Sequence, residues 1–85
     1  MIVLELAFDD DPRRLAARSA HRQRLADLRA NGTLLLAGPW GDDSGALLVF
    51  DARRSEVDSV MAEDPYYTTA GVRVVALREW RPVVR

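Results

Sequence analysis

The chain has no cysteine. That removes disulfides, thiolate metal sites and thiol nucleophiles together. It also has no lysine: all 12 basic residues are arginine, which excludes Schiff-base chemistry through a lysine side chain. A G+C-rich coding sequence produces the same bias, so the arginines assign no role by themselves. A single histidine without cysteine cannot build a structural zinc site, so no metal is expected. No charge of one sign dominates; the formal net charge is -1, and a nucleic-acid partner usually leaves a basic excess. No apolar run approaches the ~20 residues of a membrane span. The opening MIVLELAFDD lacks the basic start and long apolar core of a secretory signal, so the expected location is cytoplasmic. Neither a phosphate-binding loop nor a G-x-G-x-x-G run occurs, and no cofactor is expected.

What is present fits a small folded unit. Eighty-five residues suggest one domain over residues 1–85, with a modest core. IVLELAF, residues 2 to 8, alternates as a strand with Ile2, Leu4, Leu6 and Phe8 on one side. Asp10 or Asp11 can cap a helix that has Pro12 in its first turn, and Gly32 can stop it after Asn31. Residues 33 to 40 form a short apolar run, GDDSG a turn, and ALLVFDA another strand. Ser55 and Asp58 match a capping box that opens a second helix. Pro65 ends it at Asp64, because proline disfavours helical geometry in the residue before it. VRVVALREW, residues 72 to 80, is the last strand. The order β-α-β-β-α-β is the split βαβ, ferredoxin-like pattern, with both helices on one face of a four-stranded antiparallel sheet.

The opposite sheet face is also apolar in outline. Leu34 and Leu36 alternate with Leu35 and Ala37; Leu48 and Phe50 with Leu47 and Val49; Val74 and Ala76 with Val75 and Leu77. A sheet with one solvated face should alternate apolar and polar residues. Two helices cover only one face, so the other is expected to form a homodimer by sheet-on-sheet packing.

The one histidine, His21, lies within RSAHRQRL. On a helix its i+4 and i+7 neighbours are Leu25 and Leu28, the large apolar residues of that half. His21 therefore belongs on the buried stripe, with Arg18 one turn earlier on the same side, while Arg14, Arg24 and Arg29 can serve as solvated charges. In the second helix Val57, Val60 and Met61 are followed at i+7 by Asp64. A carboxylate is disfavoured at a helix C-terminus, and burying it unpaired is expensive. A His21–Asp64 pair relieves both penalties and orients the imidazole as general base catalysis requires. A purely structural bridge, or no contact at all, remains open at this level.

Other residues have bland readings. Asp9, Asp10 and Asp11 suit a turn and helix cap, and Asp42 and Asp43 a local turn. Gly38, Pro39 and Trp40 end a strand; alternatively they wall a pocket. Trp80 suits packing or a dimer contact. Tyr66 and Tyr67 lie just after Asp64, and one of them can meet a substrate.

RSAHRQRLADLRANGTLLLAGP, residues 18 to 39, and DPYYTTAGV, residues 64 to 72, resemble the YCII-related (YciI-like) family of small bacterial proteins. The resemblance implies a ferredoxin-like fold that dimerises through its sheets, the dimeric α/β-barrel arrangement. It implies a site built on His21 and Asp64, with Arg18, the Gly38-Pro39 turn and Tyr66 as substrate-binding neighbours. Some relatives act in aromatic degradation, including dehalogenating lyase steps, and the GDDSG loop is shorter than in many of them. The expectation is a small cofactor-independent enzyme performing elimination or isomerisation on a small cyclic or carbonyl compound. The rival is a non-catalytic small-molecule-binding or dimerisation module that uses the same pocket.

Overall fold

The computed structural model describes residues 1–85. Its elements are β1 (Ile2–Phe8), α1 (Pro12–Ala30), β2 (Leu34–Pro39), β3 (Gly45–Phe50), α2 (Arg54–Glu63), a short 3-10 turn at Pro65–Thr68, and β4 (Val72–Glu79). The four strands form one sheet in the order β2-β3-β1-β4, every neighbouring pair antiparallel. This is the ferredoxin-like α+β fold.

The chain ends of α1 come from local chemistry. The Asp11 side chain accepts from the Arg13 backbone N–H at 2.9 Å, a donor the first turn would otherwise leave unpaired. Asn31 is the C-cap, and Gly32 comes next with φ +86°, the left-handed conformation that ends helices cheaply only at glycine. The start of α2 differs from the sequence expectation. Its N-cap is Arg53, and Glu56 supplies the capping carboxylate, accepting from the Arg53 backbone N–H at 3.3 Å. Ser55 lies inside the first turn, and Asp58 instead pairs with Arg54 one turn back. Two candidate boxes overlap here, and the one whose glutamate reaches the free N–H wins.

Ile2, Leu4 and Leu6 pair across to Phe50, Leu48 and Ala46. These six form the floor of the core, and Leu34, Val57, Tyr66 and Tyr67 close it, with Leu25, Leu28, Val60 and Met61 packed around them. Phe50, Leu4, Leu6, Leu48 and Val57 are fully buried; each such side chain contributes roughly 1.5–3 kcal/mol of transfer free energy. Gly45, beside Ala7 in the register, admits no side chain: a Cβ there would collide with the Leu6 carbonyl oxygen and crowd the Trp40 ring.

Two bulges alter the strand parity expected from simple alternation. In β2 the partners step from Leu34↔Phe50 to Leu36↔Val49, skipping Leu35. In β4 they step from Leu6↔Val74 to Glu5↔Ala76, skipping Val75. Each extra residue flips the remainder of its strand to the other face. Ala37 and Pro39 therefore join Leu34 on the helix side, and Leu77 joins Val74. The opposite face carries Val3, Leu36, Leu47 and Val49, and no helix covers it. Leu36 is 70% exposed, and Trp80 nearby is 48% exposed.

Candidate functional site

The stripe Arg14, Arg18, His21, Leu25 and Leu28 runs along α1 at spacings of four, three, four and three residues, one face of a helix. Leu25 and Leu28 pack on the core. A cavity of about 490 Å³ lies between α1 and the sheet, along β2. Arg14, Arg18, His21, Gly38, Pro39 and Tyr66 all line it, over a floor that includes Leu6, Ala46 and Leu48. Gly38 and Pro39 do so as the last residues of β2, a strand rather than a turn.

His21 and Asp64 meet. Both are buried, and His21 Nδ1 lies 2.7 Å from Asp64 Oδ2. The site of Asp64 differs from the sequence expectation, which placed it in the last turn of a helix. α2 stops at Glu63, and Asp64 has extended geometry with φ -103° and ψ 109°. It is the N-cap of the 3-10 turn, where its Oδ1 accepts from the Tyr66 backbone N–H at 3.0 Å. A carboxylate at that end of a turn is favoured, so the anomaly in the apolar stripe has a local cause. Arg24 completes the arrangement: its Nη1 donates to Asp64 Oδ1 at 3.0 Å. It is half exposed, yet it is not the free solvated charge that the sequence suggested.

Three donors thus converge on one carboxylate. Burial pushes the Asp64 carboxyl up, but the bonds from His21, the Tyr66 N–H and Arg24 outweigh it, and its pKa is lowered. An ionised carboxylate only accepts. His21 must then donate its Nδ1–H to it, which leaves Nε2 with a free lone pair. Nε2 has no hydrogen-bond partner within the protein. Burial lowers the His21 pKa, opposed by Asp64 and reinforced by Arg22 and Arg24. The balance favours the neutral imidazole, with its Nδ1 side turned to the carboxylate and its other nitrogen unbonded.

Tyrosines fix the ring plane. Tyr66 stacks on His21 at 3.9 Å with 7° between planes, and Tyr67 meets it edge-on at 5.3 Å. Burial, then the Asp64 charge, raises the Tyr67 pKa, and its hydroxyl is buried without a partner.

Arg18 lines the cavity half-buried and makes no ion pair. Arg14, expected as a solvated charge, is only 5% exposed. Its guanidinium lies 4.4 Å above the Phe8 ring, donates through Nε to the Asp9 carbonyl and through Nη2 to Asp43 at 3.1 Å. Asp43 is consequently more than a local turn residue, unlike Asp42, which accepts from the Ser44 N–H. The sequence held one signal for Arg14: it lies seven residues before His21, on the same stripe. Nothing comparable marked Arg24 or Asp43, whose partners are 40 and 29 residues away. Four arginines (Arg14, Arg18, Arg22 and Arg29) and one aspartate line the cavity, so its field favours an anion. No three His, Asp or Glu side chains converge as a metal ligand set, and no helix is long and apolar enough to cross a membrane.

Fold and cavity together define a small ferredoxin-like α+β protein with an arginine-lined pocket beside a buried histidine–carboxylate contact. The chain belongs to the YCII-related domain family, whose model matches residues 1–81. Among solved structures it is similar to 5-chloro-2-hydroxyhydroquinone dehydrochlorinase (TftG) from Burkholderia phenoliruptrix AC1100, in complex with 2,5-dihydroxybenzoquinone. That likeness has a TM-score of 0.59 at 21% identity and covers 95% of this chain and 94% of that one. Comparison with curated proteins finds no match by sequence.

Proposed function

We propose that this chain is a small enzyme in which His21 and Asp64 carry out general acid/base chemistry on a small cyclic or carbonyl compound, by elimination or isomerisation. One observation carries the reading: His21 Nδ1 lies 2.7 Å from the buried Asp64 carboxylate, with Nε2 unpartnered beside a 490 Å³ cavity. His21 Nε2 takes a proton from carbon or from a ring hydroxyl. In an elimination the freed electron pair expels the leaving group as an anion and the imidazolium gives its proton to solvent; in an isomerisation the proton returns to another atom of the substrate. Asp64 fixes the tautomer and stabilises the imidazolium that forms. Arg18 holds the oxygen on which negative charge develops. Tyr66 sets the ring plane, and Gly38 and Pro39 form the facing wall. The dehydrochlorinase relative supports small-molecule chemistry of this kind on the fold.

The proposal includes a homodimer packed through the sheet face that no helix covers, supported by the exposed Leu36 and Trp80 beside Leu47, and a cytoplasmic setting. Leu36→Glu places a charge there and is expected to halve the mass measured by light scattering. An unchanged mass removes the sheet face as the interface.

The function is tested by incubating the protein with chlorinated polyhydroxybenzenes and monitoring chloride release. Turnover in wild type, lost in His21→Ala and Asp64→Asn, supports it. Turnover that survives both substitutions rules out this pair as the catalytic base. The second reading is a binding module without turnover. It uses the same cavity, and ligands recovered unaltered after long incubation would favour it.

A further inference from the structure

Arg14 is the buried charge that the proposed chemistry leaves unused. A guanidinium offers five N–H donors in a planar fork suited to a carboxylate. Arg14 spends one on the Asp9 carbonyl at a long 3.3 Å and one on Asp43 at 3.1 Å, while Nη1 is buried and, although the Tyr66 hydroxyl lies close enough to the guanidinium to raise its pKa, makes no well-formed hydrogen bond. Arg13, by contrast, engages both oxygens of Asp11. Asp43 is also loosely held. Its side chain is 45% exposed, and it adopts φ 58° in a short turn, a left-handed conformation unfavourable for most side chains. A buried, under-bonded cation thus lines the arginine-rich cavity, and a solvent-facing carboxylate leans on it through one contact.

We propose that Arg14 is the anion anchor of this cavity, and that Asp43 is its stand-in. In the free protein the Asp43 carboxylate occupies the guanidinium that a ligand's carboxylate or phenolate takes. Phe8 backs the guanidinium and keeps water from it, which strengthens the attraction. Arg14 and His21 are seven residues apart on one helix face, or ~10 Å along the axis. That spacing sets the ligand class: a small ring compound with its anionic group at the Arg14 end and its reacting atom at His21, passing Arg18 between. This rests on the reading of the cavity as the ligand site.

The test is an NMR titration with benzoate and its neutral analogue benzamide, read at the His21 ring and the cavity methyl groups. Wild type is expected to bind benzoate more tightly than benzamide. Asp43→Asn, which keeps a residue tolerant of positive φ, should tighten benzoate by up to about fivefold, the scale of a partly exposed ion pair's competition, and leave benzamide unchanged. Asp42→Asn removes the same charge from the same turn without touching Arg14, and should change neither. Arg14→Gln should abolish the preference for benzoate; if that variant does not fold, the two turn variants decide. Equal binding of the two probes, no perturbation by benzoate, or equal gains in Asp42→Asn and Asp43→Asn would each overturn the proposal. Because binding is read without turnover, a failure of His21 as a base leaves this result standing, and the reverse also holds.

Discussion

Helix α1 buries two ionisable groups seven residues apart, and the two are treated differently. At His21 the partner is itself buried and bonded three times over, from His21, Arg24 and the Tyr66 N–H. At Arg14 the buried group is the cation, and its partner stands half in solvent on a turn. The first corner is over-determined, so geometry and protonation are fixed. The second is under-bonded, so its occupant can exchange. The proposed site, which would both aim a proton acceptor and admit a ligand, uses one of each.

The largest effect should come from the shared carboxylate. Asp64→Ala strips three donors of their acceptor and removes the cap of the 3-10 turn; breaking a buried pair this way costs about 3–5 kcal/mol, measurable by urea unfolding. Asp64→Asn retains the volume. It should lower the His21 pKa further, because the one group that raises it loses its charge; a value unmoved in an NMR titration would uncouple the two residues.

Acid should act on the same corner. The folded pKa of His21 lies below its ordinary 6.5, so its contribution is complete above 6.5 and is lost as pH falls from there toward the folded value. That of Asp64 lies below 3.8; its contribution is complete above 3.8 and drains as pH falls through the folded value. Both slopes point the same way, and thermal unfolding measured downward from pH 7.5 should show a steady loss that is reduced in His21→Gln.

Arg14→Gln should cost less, about 1–2 kcal/mol, because it forfeits the contact with Phe8 and some packing while Asp43 simply returns to water. A loss as large as that of Asp64→Ala would mean that the second corner is as rigid as the first. Arg24→Gln should be the mildest. Its guanidinium is 47% exposed, and a pair of that kind is worth about 0.2–1 kcal/mol. A larger loss on unfolding would promote Arg24 from support to keystone.

The sequence reaches the first corner more readily than the second. His21, Leu25 and Leu28 repeat at helical spacing, and Asp64 interrupts an apolar stripe before a proline. Both are local patterns, and both residues lie where those patterns point, with Asp64 closing α2 as its C-cap and opening the 3-10 turn as its N-cap. The ends of α1 are equally legible in Asp11, Pro12 and Gly32. Partner choice is not legible. Twelve arginines are interchangeable in a one-dimensional pattern, and which of them meets Asp64 or Asp43 is settled by the path of the chain in space. The bulges at Leu35 and Val75 are hidden for a different reason: each lies in a run of apolar residues, where sliding by one position leaves the hydrophobic pattern unchanged.

Those two bulges fall on β2 and β4, the outer strands of the sheet. A straight outer strand offers a row of free N–H and C=O groups onto which another chain can add, and the next onto that. A bulge spoils the spacing of that row. Here both borders are spoiled and β2 ends in proline, so growth by strand addition is discouraged in either direction. What stays open is the face that no helix covers, and the proposed pairing through it would close after a single partner instead of running on as a fibre.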